Sequence, residues 1–69
     1  MIGKLVLGQN LKSYRRQNKI SQEELAARAD LSTRGYGKIE RGEVSASLET
    51  LDKLAHSTGL SLSELLKES

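Results

Sequence analysis

Sixty-nine residues limit this chain to one small domain with a single modest core. It has no Cys, no Pro and one His (His56), which excludes disulfides, thiolate zinc clusters, Pro-rich linkers and His-rich metal or proton-relay sites. The net charge is only +2, but residues 1–42 carry nine Lys/Arg against four acids and residues 43–69 two Lys against five acids. A basic N-terminal part beside an acidic C-terminal part suits a polyanion on one side; an ordinary solvated surface explains the same charge equally well.

The 36% hydrophobic content suits a folded chain. No apolar run approaches the ~18 residues of a membrane helix. The stretch Met1–Leu7 is too short for a signal peptide and Lys4 interrupts it. A soluble cytoplasmic domain over residues 1–69 is expected. Twelve Leu against five Ile plus Val, with two Tyr as the aromatics, favour an all-α fold, because β-branched and aromatic residues are what strands prefer.

The first helix is expected over Lys4–Asn18, with Leu7, Leu11, Tyr14 and Asn18 on one face. Ser21 with Glu24 fits a capping box and opens a second helix over Gln22–Ala29, with Leu25, Ala26 and Ala29 inward. Ser32 caps a third over Thr33–Arg41, which Gly42 stops. Ser47 caps a fourth over Leu48–Thr58, with Leu48, Leu51, Leu54 and Ala55 as its apolar positions; Gly59 stops it. Ser61 with Glu64 is a second capping box, opening a short helix over Leu62–Lys67.

Only Asp30 and Leu31 separate the second helix from the cap of the third. Two short helices on so tight a turn make a helix-turn-helix. The turn wants a left-handed residue, and Asp30 is of a type that tolerates that conformation. Ala26 leaves room for the third helix to come close.

Five segments in register carry a resemblance: L7-G8-x-x-L11, S21-Q22-E23-E24-L25-A26, K38-I39-E40-R41-G42, S47-L48-E49-T50-L51-x-K53-L54-A55 and G59-L60-S61-L62-S63-E64-L65-L66. From Leu7 to Leu66 the chain resembles the Cro/repressor-type (XRE) helix-turn-helix family, shared by phage repressors, restriction–modification controller proteins and antitoxin components. The resemblance implies a compact five-helix domain, similar to lambda repressor, that docks its third helix in the DNA major groove. Three departures from the family pattern stand out. Tyr36 replaces an aliphatic residue, Lys19 stands where a Gly often ends the first helix, and Gly35 and Gly37 lie inside the third. Each internal glycine costs roughly 0.5–1 kcal/mol relative to Ala.

At about 100° per residue from an inward Tyr36, Ile39 and Glu40 also point in. Arg34, Gly37, Lys38 and Arg41 point out, with Thr33 at the flank. The resemblance implies base reading by Thr33, Arg34 and Lys38, and phosphate anchoring by Gln22 at the start of the second helix. Arg41 and Arg16 are further phosphate candidates. A carboxylate on the core side needs a partner; Arg15 flanks the inward stripe of the first helix, and the resemblance implies an Arg15–Glu40 ion pair.

No nucleophile–base pair, metal spacing, phosphate loop or small-molecule substrate site is visible, so neither an enzyme nor a cofactor is expected. The expected function is a DNA-binding transcriptional regulator, such as a repressor, that binds double-stranded DNA as a homodimer. Leu62, Leu65 and Leu66 offer the expected dimer interface. The alternative is an antitoxin-like subunit whose main partner is a protein.

Overall fold

The computed structural model describes residues 3–68; Met1, Ile2 and Ser69 of the expected domain lie outside the described residues. The chain folds into α1 (Gly3–Asn18), α2 (Gln22–Arg28), α3 (Thr33–Glu40), α4 (Leu48–Thr58) and α5 (Leu62–Leu65), with no strand among the described residues. None of these helices is long and apolar enough to cross a membrane. The core gathers Leu7 and Leu11 of α1, Leu25 and Ala26 of α2, Tyr36 and Ile39 of α3, Leu54 of α4 and Leu65 of α5.

Local chemistry sets the helix starts. Ser21, Ser32, Ser47 and Ser61 each accept the backbone N–H three residues on, satisfying a donor that has no partner inside the helix. Ser61 and Glu64 complete the reciprocal box. Glu24 does not complete the box at Ser21; its carboxylate pairs with Arg28 one turn along instead.

Three of the helix ends share one device. Lys19 (φ 55°) after α1, Asp30 (φ 57°) after α2 and Gly42 (φ 75°) after α3 all adopt the left-handed conformation. In each case the next N–H reaches back to the last turn: Ile20 to the Arg15 carbonyl at 3.1 Å, Leu31 to Ala26 at 2.8 Å and Glu43 to Lys38 at 2.9 Å. The α2–α3 turn is therefore a helix closure followed at once by a new cap. Gly42 takes this conformation without strain; Lys19 and Asp30 take it with a Cβ.

Helices α1 and α3 meet through Gly8. A Cβ there would overlap the Glu40 carbonyl oxygen and lie 2.9 Å from the Ile39 carbonyl oxygen. Next to this crossing sits the expected ion pair. Arg15 Nε donates to Glu40 Oε2 at 2.9 Å and Arg15 Nη2 to Oε1 at 2.7 Å. The Tyr36 hydroxyl donates to Oε2 at 2.6 Å and Gln22 Nε2 to Oε1 at 3.0 Å. The Glu40 side chain is 1% exposed and that of Arg15 is 18% exposed. Burial works most strongly against the carboxylate, but the Arg15, Tyr36 and Gln22 donors outweigh it and hold the Glu40 carboxyl at about 2. Burial, then the adjoining carboxylate, push the Tyr36 phenol up, so it remains a donor.

Several expectations change. Asn18 is exposed, with its amide turned back to the Tyr14 carbonyl at 2.8 Å, so it caps the last turn of α1 and does not face the core. Leu48 is 79% exposed, so the inward face of α4 begins at Leu51. α5 is a single turn, and Asn10 of α1 binds its end by donating to the Leu65 carbonyl at 2.6 Å and the Lys67 carbonyl at 3.0 Å.

Three substitutions follow from these contacts. Gly8→Ala forces α1 from α3 and should lower stability by about 1–3 kcal/mol in urea unfolding. Lys19→Gly should raise it by about 0.5–1 kcal/mol, because relieving left-handed strain outweighs the added freedom of the unfolded chain. Glu40→Gln strands Arg15 and should cost about 3 kcal/mol at neutral pH, toward the low end for a broken buried pair because the guanidinium touches water. The folded Glu40 carboxyl titrates below its unfolded value of 4.5, so its contribution is complete above pH 4.5 and is lost as pH falls toward 2. The stability gap between wild type and Glu40→Gln should therefore narrow across that window.

Candidate nucleic-acid interface

The buried half of α3 fixes what its other half presents. Tyr36, Ile39 and Glu40 are locked inward, and the Ser32 cap holds the first turn through the Gly35 N–H at 3.0 Å. Thr33 and Arg34 lie exposed on that turn, and Lys38 is half-buried one turn later. Arg34 and Lys38 form no ion pair among the described residues, so their donors remain open to a ligand. Two unpaired cations on one rigid helix suit an acceptor-rich surface such as guanine edges.

The expected phosphate anchors differ in state. Arg16 on α1 is exposed and forms no ion pair among the described residues. Gln22, the first residue of α2, is half-buried and spends one amide N–H on Glu40. Its second N–H is what remains for a backbone contact. Arg41 closes α3 and is paired with Glu43, Nε donating to Oε2 at 2.6 Å. That hydrogen bond draws the exposed Glu43 carboxyl below its usual range.

The expected dimer residues separate. Leu65 is 0% exposed and belongs to the chain's own core, so it is withdrawn from the interface. The three leucines, spaced i, i+3 and i+4, share one side of this short helix, and Leu65 is the one of them that enters the core. Leu62 is 44% exposed and Leu66 half-buried against the core edge.

Two features of the interface escaped the sequence. The link from Gln22 to Glu40 spans two helices and has no local signal. Gly37 lies on the outward side of α3, yet it is buried, because the Arg41 side chain covers it. The spacing of Gly37 and Arg41, four apart, was the available clue.

A helix-turn-helix family profile matches residues 11–65. Control protein C.MunI from Mycoplasma sp is 38% identical over 66 residues, spanning 94% of this chain and 89% of that protein. Control protein C.SmaI from Serratia marcescens is 40% identical over 63 residues, spanning 91% and 75%. The immunity repressor protein of Bacillus phage phi105 is 34% identical over 64 residues, but the match spans 93% of this chain and only 44% of the repressor. The crystal structure of the restriction-modification controller protein C.AhdI from Aeromonas hydrophila matches with a TM-score of 0.83 at 34% identity, covering 90% of this chain and 94% of that one. The agreement runs from the middle of α1 to the end of α5, and by it the chain belongs to the Cro/repressor-type helix-turn-helix family of DNA-binding transcriptional regulators.

Proposed function

We propose that this chain is a sequence-specific regulator of the controller or repressor kind, acting in the cytoplasm, that sets α3 into the major groove of a near-palindromic operator as a homodimer. The observation that carries this reading is the division of α3: one face is held in the core by Tyr36, Ile39 and Glu40, and the other presents Thr33, Arg34 and Lys38, which form no ion pair among the described residues. Arg34 sits on the first turn, the end that enters deepest in this docking mode, and donates to a guanine. Lys38 makes a single-point contact to a base or phosphate. Thr33 offers a hydroxyl, and a methyl for a thymine. Gln22 and Arg16 touch the backbone.

A lone eight-residue reading helix offers few base contacts, which favours two copies on two half-sites. The acidic C-terminal part, with Leu62 exposed and Leu66 beside it, is the face left for the second copy. Leu62→Asp should shift a dimer toward monomer in sedimentation; a chain that sediments as monomer with and without DNA would contradict the dimer.

Selection of duplexes from a random pool supplies the site on which the contacts are tested. Arg34→Ala should weaken binding to it by about 1–3 kcal/mol and flatten preference at one base pair. Gln22→Ala should weaken all sequences alike with the salt slope unchanged, because a neutral amide releases no counterion. Arg16→Ala should lower that slope by about one. Equal loss on selected and random duplexes for Arg34→Ala would reduce α3 to a source of charge.

A further inference from the structure

Gly37 is an odd residue for the surface of a reading helix, where it weakens the helix and contributes no side chain. Its environment accounts for it. A Cβ built there would lie 2.9 Å from Arg41 Nη1, 3.6 Å from Cζ and 3.7 Å from Nη2. The Arg41 guanidinium therefore rests on bare backbone one turn before its own Cα. Helical side chains lean toward the N-terminus, so an arginine at the end of α3 laid back in this way sits midway along the outward face, level with Gly37.

The second support is Glu43. It accepts from Arg41 Nε at 2.6 Å. The turn that presents it is fixed by Gly42 at φ 75° and by the Glu43 N–H on the Lys38 carbonyl at 2.9 Å. Both side chains of the pair are about half exposed, at 53% and 50%. The pair thus lies on the surface, next to Lys38.

We propose that Arg41 is a base-reading residue, seated on Gly37 and held by Glu43, that donates through Nη1 and Nη2 to O6 and N7 of a guanine. This rests on α3 being the groove helix. The geometry favours a base over a phosphate. With Nε taken, the two terminal nitrogens remain, and these form a fork that matches the guanine edge. A carboxylate bound to the same guanidinium would repel a phosphate arriving at its other end, whereas the neutral acceptors of guanine carry no such penalty. Seating also removes rotamers before binding, so less freedom is lost on contact. Gly37 and Glu43 are positioning residues in this scheme; Arg41 alone touches the base.

The test measures affinity for the selected duplex and for each of its single-base-pair variants, at fixed salt, for Arg41→Ala, Gly37→Ala, Glu43→Gln and the double variant Gly37→Ala/Arg41→Ala. Arg34→Ala serves as the control for the groove helix. Arg41→Ala should lose roughly 5- to 150-fold on the selected duplex and flatten preference at one base pair, distinct from the one Arg34→Ala flattens. Gly37→Ala should flatten that same base pair and add little in the double variant, while leaving the far-ultraviolet dichroism of the fold intact. Glu43→Gln should lower discrimination there while tightening binding to unrelated duplexes, since a negative charge leaves the interface. The assignment is overturned if Arg41→Ala weakens every duplex by the same factor, which makes Arg41 a phosphate anchor. It is equally overturned if Gly37→Ala leaves the Arg41 base-pair preference untouched. If neither Arg34→Ala nor Arg41→Ala alters preference at any base pair, the groove-helix reading itself fails and the assignment falls with it.

Discussion

The Glu40 carboxylate is bound from three helices at once. Arg15 comes from α1, Gln22 from α2, and Tyr36 from the same helix as Glu40, α3. Removing so buried a charge from water is costly, and the return from even a well-made ion pair need not exceed that penalty. Its effect here is on geometry. Apolar side chains tolerate small rotations of one helix on another, whereas a carboxylate with four donors at 2.6–3.0 Å permits one arrangement. A domain of this size has roughly 3–10 kcal/mol of net stability, so leaving this charge unpaired would take a large share of it. The rotation of α3 about its axis, and hence which side chains it presents outward, depends on this one group.

Close packing supports the same constraint. Gly8 lets α1 approach the end of α3 to backbone contact, which brings Arg15 within reach of Glu40. Tyr36 fits beneath α3 because its hydroxyl has that same carboxylate to donate to; an aliphatic residue would leave Glu40 one donor poorer. The surface pairs matter less. Arg28–Glu24 and Lys53–Asp30 are exposed and solvent-screened, and pairs of that kind contribute about 0–1 kcal/mol.

The same frame limits what the outward surface can do. Arg34 and Lys38 project from a helix whose back is fixed, so their bases of attachment do not wander. Little ordering is left to be lost when a ligand binds, which is the condition for discrimination between similar sequences. The C-terminal end is held differently, by the Asn10 amide on the Leu65 and Lys67 carbonyls, so one turn of helix is kept in place by a polar clamp as well as by Leu65.

Much of what depended on neighbours along the chain was legible in the sequence. The four Ser caps, the left-handed Asp30 in the tight turn, the stop at Gly42 and the all-α composition are settled within about three to six residues, by hydrogen bonds that close locally. The inward rotation of α3 was legible too, because Tyr36, Ile39 and Glu40 share a stripe and a buried acid demands a cation. Tertiary structure alone decided the rest. Which of Leu62, Leu65 and Leu66 enters the core depends on how the other helices lie against α5, since the spacing puts all three on one side of it. The bond from Gln22 to Glu40, the clamp from Asn10 to α5 and the backbone approach at Gly8 join residues 18 to 55 positions apart or meet at a crossing. Sequence spacing cannot report such contacts, because they exist only after the helices have been brought together.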